Sequence, residues 1–286
     1  MMITTEVTSP PKISTLLARA ALTTRGRGGP LPDTRVSQAG VLVDRTKLAA
    51  YERVCGFSVT DVLPPTYPHV LAFPLQLALM TDRSFPLALP GMVHVRNQID
   101  VLRPVGADEP LDLQVWAERY DVHRKGATVD LCAAMSTAGE DVWRGRSTYL
   151  ARGAAAPDGA ADSDIAVPVG DLPRSTATWR IPADAGRRYA KVSGDVNPIH
   201  LSPLTAKAFG FKHAIAHGMW VKARALAALA GQLPETLTVD VAFDKPLYLP
   251  STVAYLRVPA HGGWDFAVRN SRSAEIQHLT GTVRPF

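Results

Sequence analysis

Alternating apolar and polar positions dominate two separate parts of the chain. Residues 111–150 contain the segments LDLQVWAERY, ATVDLCAAM and DVWRGRSTYL, and residues 252–284 contain TVAYLRV, WDFAVRN and IQHLTGTVR. A period of two, with Val, Tyr, Trp and Thr enriched, is typical of antiparallel strands that have one face in solvent. The pattern therefore predicts an antiparallel meander at the end of each half of the chain.

Each meander follows an apolar, helix-favouring run. HVLAFPLQLALM begins at residue 69 and HAIAHGMWVKAR at residue 213, so the two halves repeat at an offset of about 145 residues. The helix-favouring part of the second run is HGMWVKARALAALAG, from residue 217. The second run is apolar nearly all round, which predicts a buried helix ended by Gly231. The first is followed closely by DRSFPLALPG, which predicts a shortened helix. The repeat predicts a duplicated α+β domain, each copy a central helix wrapped by an antiparallel sheet.

Composition predicts where the copies separate. Residues 151–164, ARGAAAPDGAADSD, contain no large apolar side chain and are not expected to order themselves. We predict a first unit over residues 1–150, a linker over 151–175 and a second unit over 176–286. Residues 12–22 predict a short leading helix followed by a loop over 24–30; an organelle transit peptide is the alternative interpretation.

Charge and cysteine content exclude several classes of protein. The 286 residues carry a net charge of +5 with 46% hydrophobic residues, an ordinary globular balance. No Lys/Arg block of the nucleic-acid-binding kind occurs, and no apolar run reaches the length of a membrane span. Cys55 and Cys132 lie far apart without metal-ligand spacing, which indicates a reduced, cytoplasmic protein.

The segment SGDVNPIH, residues 193–200, is the strongest candidate for chemistry. It lies between a helical segment, AGRRYAKVS, and a short helix that Ser202 caps and Gly210 ends. Pro198 prevents a continuous helix, so a bend can direct Asp195 and His200 at one point. The alternative is a plain turn, since Asp and Asn before Pro commonly bond their own backbone.

A second candidate feature is Gly218, at the predicted start of the buried helix. The first amides of a helix lack internal partners, and with the helix dipole they favour a developing negative charge. Glycine also allows close approach to the backbone. A carboxylate, an imidazole and an oxyanion site are together what is needed to move a proton on and off the carbon next to a thioester carbonyl.

A metal site is an alternative for the same residues. Asp195, His200, His213 and His217 would supply three imidazoles and one carboxylate. Against this reading, His213 has a counterpart in His69, where the other ligands are missing. Nucleophilic catalysis is disfavoured because no GxSxG motif occurs. The nearby basic residues are interpreted as solvated surface charges: Arg187, Arg188, Lys191, Lys207, Lys212 and Arg224.

The run YAKVSGDVNPIHLSPLTAKAFGFKHAIAHGMW, residues 189–220, resembles the signature of the type 2 (R-specific) enoyl-CoA hydratases of the MaoC-like hot-dog superfamily. The Asp-x-Asn-Pro-x-His core and the following His-Gly have the family's spacing. The internal repeat extends the resemblance to the mycobacterial 3-hydroxyacyl-thioester dehydratases that carry two hot-dog units in one chain. The resemblance implies a double hot-dog fold and reversible hydration of trans-2-enoyl thioesters to (R)-3-hydroxyacyl thioesters.

The resemblance also implies roles for individual residues. Asp195 and His200 match the catalytic pair that holds and activates water, Asn197 a supporting residue, and the Gly218 amide the oxyanion donor. Gly194, His217 and Met219 are expected to contact substrate. No metal, nucleotide or redox cofactor is implied; coenzyme A or acyl carrier protein is part of the substrate. The chain is expected to act as a homodimer or as a single double hot-dog.

The first half departs from this pattern. It has CGFSVTDVLPPTYPH at residues 55–69, without Asp and His at the required spacing, and Phe73 and Pro74 in place of His217 and Gly218. Proline lacks a backbone donor. We therefore expect one active site per chain, with the degenerate half leaving room for a longer acyl chain. A hot-dog thioesterase and a non-catalytic acyl-thioester binding subunit are the alternative functions.

Overall fold

A computed structural model describes residues 3–22, 26–172 and 174–286 of the chain. Residues 24 and 25 of the predicted leading loop and residue 173 of the predicted linker lie outside these ranges. The helices are α1 Ile13–Leu22, α2 Arg45–Cys55, α3 Tyr67–Thr81, α4 Ala185–Ser193, α5 Pro203–Ala208 and α6 Gly218–Ala227, with a 3₁₀ turn at Pro198–His200. The strands are β1 Ile3–Glu6, β2 Thr34–Val41, β3 Met92–Val101, β4 Leu111–His123, β5 Gly126–Thr137, β6 Glu140–Arg152, β7 Ala177–Ile181, β8 Leu237–Phe243, β9 Ser251–Ala260, β10 Gly263–Asn270 and β11 Gln277–Pro285.

The predicted duplication is present in the order of these elements. The first half runs β2, α2, α3 and β3 to β6, and the second runs β7, α4, α5, α6 and β8 to β11. Strands of the first half are ordered β2-β4-β5-β6-β3, and their counterparts are ordered β7-β9-β10-β11-β8. The consecutive strands β4 to β6 and β9 to β11 pair antiparallel, as their alternating pattern predicts.

Two compact units form, and they do not coincide with the predicted boundaries. One comprises Met1–Val43, Pro68–Asn97 and Asp108–Ile165; the other comprises Asp44–Tyr67, Gln98–Ala107 and Ala166–Phe286. Helix α2 comes from the first half of the sequence, yet it packs against α4 and α6 in the second unit. The indole Nε1 of Trp220 donates to the Val54 carbonyl at 3.0 Å. The unit that contains the hydratase-like motif is therefore built from both halves.

The predicted linker is more ordered than its composition suggests. Val122 of β4 donates to the Ala161 carbonyl and accepts from Ser163 N, both at 2.8 Å. Further along, Leu172 is 2% exposed and packs with Leu256 and Ala267. The expectation that residues 151–164 do not order themselves is wrong for residues 161–163. Their backbone hydrogen bonds to Val122 stabilise a fixed conformation that their small side chains cannot stabilise by apolar packing.

The two central helices differ in a way opposite to the prediction. Helix α3 has 15 residues and α6 has 10, so the first-half helix is not shortened. Phe73 and Pro74 lie inside α3 rather than at its start. Helix α6 ends at Ala227, ahead of Gly231. Its predicted burial is confirmed and includes Lys222, which is 0% exposed.

The start of α6 is set by the chain that precedes it. Ala216 N donates to the Leu247 carbonyl at 2.8 Å, and Ile215 forms a bridge with Tyr248. These residues are extended, whereas their counterparts in the first half already lie in a helix. Gly218, the first residue of α6, corresponds to Pro74, which lies seven residues after the start of α3, so the second central helix begins later in the repeat. This difference exposes a helix N-terminus beside the motif loop. No helix in the described residues is long and apolar enough to cross a membrane.

Candidate active site

The motif loop is shaped by local hydrogen bonds. Helix α4 ends at Gly194, whose φ of +76° is the left-handed conformation that glycine adopts easily. Asp195 Oδ1 accepts from Asn197 N at 3.2 Å, and Asn197 Oδ1 accepts from Ile199 N at 3.3 Å. Asn197 thus caps the single 3₁₀ turn that carries His200. The turn-residue interpretation is correct locally, and the same turn also positions two ionisable side chains.

His200 is fixed in one tautomer by its surroundings. Its side chain is buried, and Nδ1 lies 2.8 Å from the Ile215 carbonyl oxygen. A carbonyl oxygen only accepts, so Nδ1 carries the hydrogen and Nε2 of the neutral ring carries the lone pair. Burial lowers the pKa of His200 below its usual value, although nearby Asp195 acts in the opposite direction. His200 is therefore neutral at pH 7 and offers Nε2 as an acceptor.

His217 joins the two motif residues. Its ring stacks on that of His200, with centroids 3.6 Å apart and an interplanar angle of 24°. Its Nε2 donates to the Asp195 carbonyl at 2.9 Å and lies 3.8 Å from the Asp195 carboxylate. Burial, together with the neighbouring His200, lowers the pKa of His217 to about 3, so this ring is also neutral. The structure thus places His217 behind Asp195 and His200, where its ring contacts both.

Gly218 is the first residue of α6, so its amide has no acceptor within the helix. A Cβ at this position would lie 2.8 Å from the ring of Phe243. The structural reason for glycine here is thus close packing against β8, in addition to any approach of a ligand. Met219, the next residue, is 5% exposed and belongs to the core.

The sequence interpretation missed two structural features near the site, one at Gly186 and one at Tyr189. A Cβ on Gly186 of α4 would lie 2.1 Å from the His200 carbonyl oxygen, so glycine allows α4 to approach the 3₁₀ turn. A glycine inside a helix-forming segment is the signal that could have identified it. Tyr189 is buried with its ring 4.9 Å from that of His217, and Tyr51 of α2 lies 6.1 Å behind Tyr189. No local pattern indicates the contact with Tyr51.

The geometry does not favour the metal alternative. Among the described residues, the ligand atoms of Asp195, His200 and His217 lie within 4.8 Å of one another, but His213 is exposed and faces Tyr248. The four-ligand set is therefore wrong. An ion shared by two nearly parallel imidazoles would sit well outside both ring planes, where their lone pairs do not point. The remaining three residues are better arranged to hold a small polar molecule.

An antiparallel sheet wrapped around a central helix, repeated in one chain, defines the hot-dog class of protein, and the site lies at the N-terminus of the second central helix. The MaoC like domain family matches residues 164–262. The chain is 35% identical over 280 residues, 97% of its length and 99% of the relative's, to 3-hydroxyacyl-thioester dehydratase X of Mycobacterium tuberculosis. The solved structure of that protein, HtdX, matches with a TM-score of 0.78 and 34% identity, covering 88% of this chain and 100% of the other.

Two weaker similarities agree. The mitochondrial 3-hydroxyacyl-[acyl-carrier-protein] dehydratase of Arabidopsis thaliana is 31% identical over 83 residues, 28% of this chain and 49% of the relative. A second Mycobacterium tuberculosis protein, described as having a double hotdog fold, matches with a TM-score of 0.53 and 14% identity over 85% of this chain and 92% of that one, which shows the fold alone. The chain belongs to the MaoC-like family of hydratases and dehydratases, and it is a double hot-dog enzyme.

Proposed function

We propose that the chain catalyses the reversible addition of water to a trans-2-enoyl thioester, giving the (R)-3-hydroxyacyl thioester. The observation that carries this proposal is the meeting of the Asp195 carboxylate and the neutral His200 imidazole beside the free N-terminus of α6. This reaction requires basic groups that hold and deprotonate a water molecule, and a hydrogen-bond donor that stabilises an enolate oxygen.

The protonation states support a specific way of holding water. The Asp195 carboxylate and Nε2 of His200 are both acceptors, and their side chains lie within 4.8 Å of each other. A water molecule between them donates one hydrogen to each, which directs an oxygen lone pair toward C3 of the enoyl chain. Asp195 is 31% exposed in its side chain, so the pair is open to substrate on one side.

The chemical step then transfers one proton. As the water oxygen bonds to C3, one of the two acceptors takes a proton from it, and the C2–C3 π electrons move toward the thioester oxygen. The Gly218 amide stabilises that negative charge, a contribution of about 3–4 kcal/mol for an oxyanion donor. The protonated group returns its proton to C2 on the same face. Hydroxyl has then been added to C3 and hydrogen to C2, and the enzyme regains its starting state.

The proposal needs no metal, nucleotide or redox cofactor, because the carrier is part of the substrate. Turnover is expected to survive exhaustive treatment with a metal chelator. The first half adds no second site, since Phe57 follows Gly56 where Asp195 follows Gly194. We also propose a reduced, cytoplasmic location, which the two buried free cysteines, Cys55 and Cys132, support.

The test compares Asp195→Asn and His200→Ala with wild type in the hydration of crotonyl-CoA, which is measured as a decrease in the enoyl absorbance. Loss of an acid–base group is expected to lower kcat by roughly 10²–10⁴-fold while circular dichroism shows an intact fold. His213→Ala is the matched control, because His213 is exposed and lies four residues before His217. Near-normal turnover in either folded variant would falsify the assignment, and release of free thiol would instead indicate a thioesterase.

A further inference from the structure

Positive charge is concentrated around the candidate site. Residues 185–234 contain seven basic side chains and one acidic side chain, a net charge of +6, whereas the whole chain has +5, which leaves −1 for all other residues. The basic residues of this segment are Arg187, Arg188, Lys191, Lys207, Lys212, Lys222 and Arg224. The mild excess of the whole protein thus comes from the segment that holds the motif.

Five of these cations form an unneutralised surface. Arg187, Arg188, Lys191, Lys207 and Lys212 are exposed, and none pairs with a carboxylate in the part of the chain that the structure describes. Lys222 is buried and donates to the Val239 carbonyl, and the guanidinium of Arg224 lies against Gly56, so these two are not part of the surface. An exposed cluster of one sign attracts an anionic partner over a distance of about 8–10 Å at moderate salt.

Two large exposed apolar side chains belong to the same segment of the chain as these cations. Leu204 of α5 is 80% exposed and Phe209, at the C-terminal cap of α5, is 43% exposed. Arg187 of α4 donates to the Leu201 carbonyl at 3.1 Å, which ties the cationic face of α4 to the start of α5. We call α4, α5 and the loop between them, residues 185–209, the α4–α5 face.

The mixture of cations and apolar side chains distinguishes two carriers of an acyl thioester. The phosphates of free coenzyme A would use the cations, but they give no reason for an exposed leucine and phenylalanine on the same face. An acidic protein with an apolar contact surface would use both, since protein interfaces combine a desolvated apolar centre with a charged rim. A partner seated on α4 and α5 would contact the two helices that pack against the 3₁₀ turn carrying His200.

We propose that the α4–α5 face docks an acidic acyl carrier protein that presents its thioester to the site. This inference rests on the proposed function, because it identifies the carrier of the same substrate. Leu204 and Phe209 form the apolar centre of the contact, and Lys207, Arg188 and Lys191 form its charged rim. Neither Leu204 nor Lys207 belongs to the catalytic machinery.

The experiment compares Lys207→Glu and Leu204→Ala with wild type on three substrates: crotonyl acyl carrier protein, crotonyl-CoA and crotonyl-pantetheine. For the carrier protein, KM is expected to rise about tenfold in each variant with kcat unchanged. For the other two substrates, KM is expected to change by less than about threefold. Lys125→Glu, in the exposed turn after β4, is the matched charge control and should leave all three KM values unchanged.

Several results would overturn the docking proposal. Equal increases in KM for crotonyl-CoA and for the carrier protein would mean that the face binds nucleotide phosphates. Unchanged KM values throughout would mean that it binds neither. A change from dimer to monomer in Leu204→Asp, seen by light scattering, would show that a second copy of the chain covers the face. Binding of the holo carrier protein, measured by fluorescence anisotropy, does not depend on turnover, so it separates failure of docking from failure of the hydratase assignment.

Discussion

Replacing Gly186 by alanine adds one methyl group at the point where α4 touches the turn that carries His200. A Cβ there would lie 2.1 Å from the His200 carbonyl oxygen, an approach that no real Cβ makes. The obstacle is backbone rather than a flexible side chain, so it cannot rotate away. Helix α4 and the 3₁₀ turn would have to separate by roughly 1 Å to restore normal contact.

The expected effects on stability and catalysis differ in size. Overpacking of this kind costs about 1–3 kcal/mol, and the better helix propensity of alanine offsets at most about 1 kcal/mol, so a small net loss of stability is expected. Displacement of His200 by roughly 1 Å is expected to lower kcat/KM by about 10²-fold, because the water-holding geometry depends on both acceptors.

The assay measures kcat/KM for hydration of crotonyl-CoA together with the free energy of unfolding in urea. Gly170→Ala is a suitable control, since a Cβ there meets only Asp265 Oδ2 at 3.4 Å. If Gly186→Ala has wild-type activity and is more stable than wild type, helix propensity alone explains the effect of the substitution. The argument that glycine is needed to position His200 would then be wrong.

Two other substitutions test the neighbouring residues. Burial holds the pKa of His217 at about 3, whereas the pKa of histidine in the unfolded chain is about 6.5. Below about pH 6.5 the unfolded chain therefore takes up a proton that the folded chain does not, so the free energy of unfolding decreases as the pH falls. Wild type should lose free energy of unfolding between pH 7 and pH 5, and in urea unfolding this loss should be about 2 kcal/mol smaller for His217→Gln. An equal loss in the variant would refute the burial of a neutral ring. Gly218→Ala should lower kcat/KM by about tenfold, because its Cβ would lie 2.8 Å from Phe243, and Phe243→Leu in the same chain should restore most of that activity; additive losses would contradict the packing argument.

Much of the site follows from short-range sequence signals. The helical segment at 185–193, the Ser202 cap of α5 and the bend at Pro198 all occur as predicted. Each depends on residues within four positions of one another, so propensity and hydrogen-bonding chemistry are sufficient. The alternating strands were predictable for the same reason, since the period of two is present within each strand separately. The duplication was predictable because the same succession of a helix-favouring run and alternating segments occurs in both halves.

Errors arose where the outcome depends on packing. The first-half helix was expected to be short because Pro residues follow it, yet α3 tolerates Pro74 inside a buried helix of 15 residues. Losing one hydrogen bond costs less than the burial that continues on both sides of the proline. The predicted boundary at residues 151–175 did not anticipate that α2 belongs to the second unit, because only the packing of α2 on α4 and α6 shows this.

By itself the sequence determined the repeated architecture, the turn that carries Asp195 and His200, and the family to which they belong. The tertiary structure decided that His217 stacks on His200, that α6 begins at Gly218, and that a helix from the degenerate half supports the catalytic one. The reason is distance along the chain: Trp220 bonds to Val54 across 166 positions, and no local pattern encodes a contact of that length. Local chemistry supplied the reactive groups, and long-range packing set their geometry.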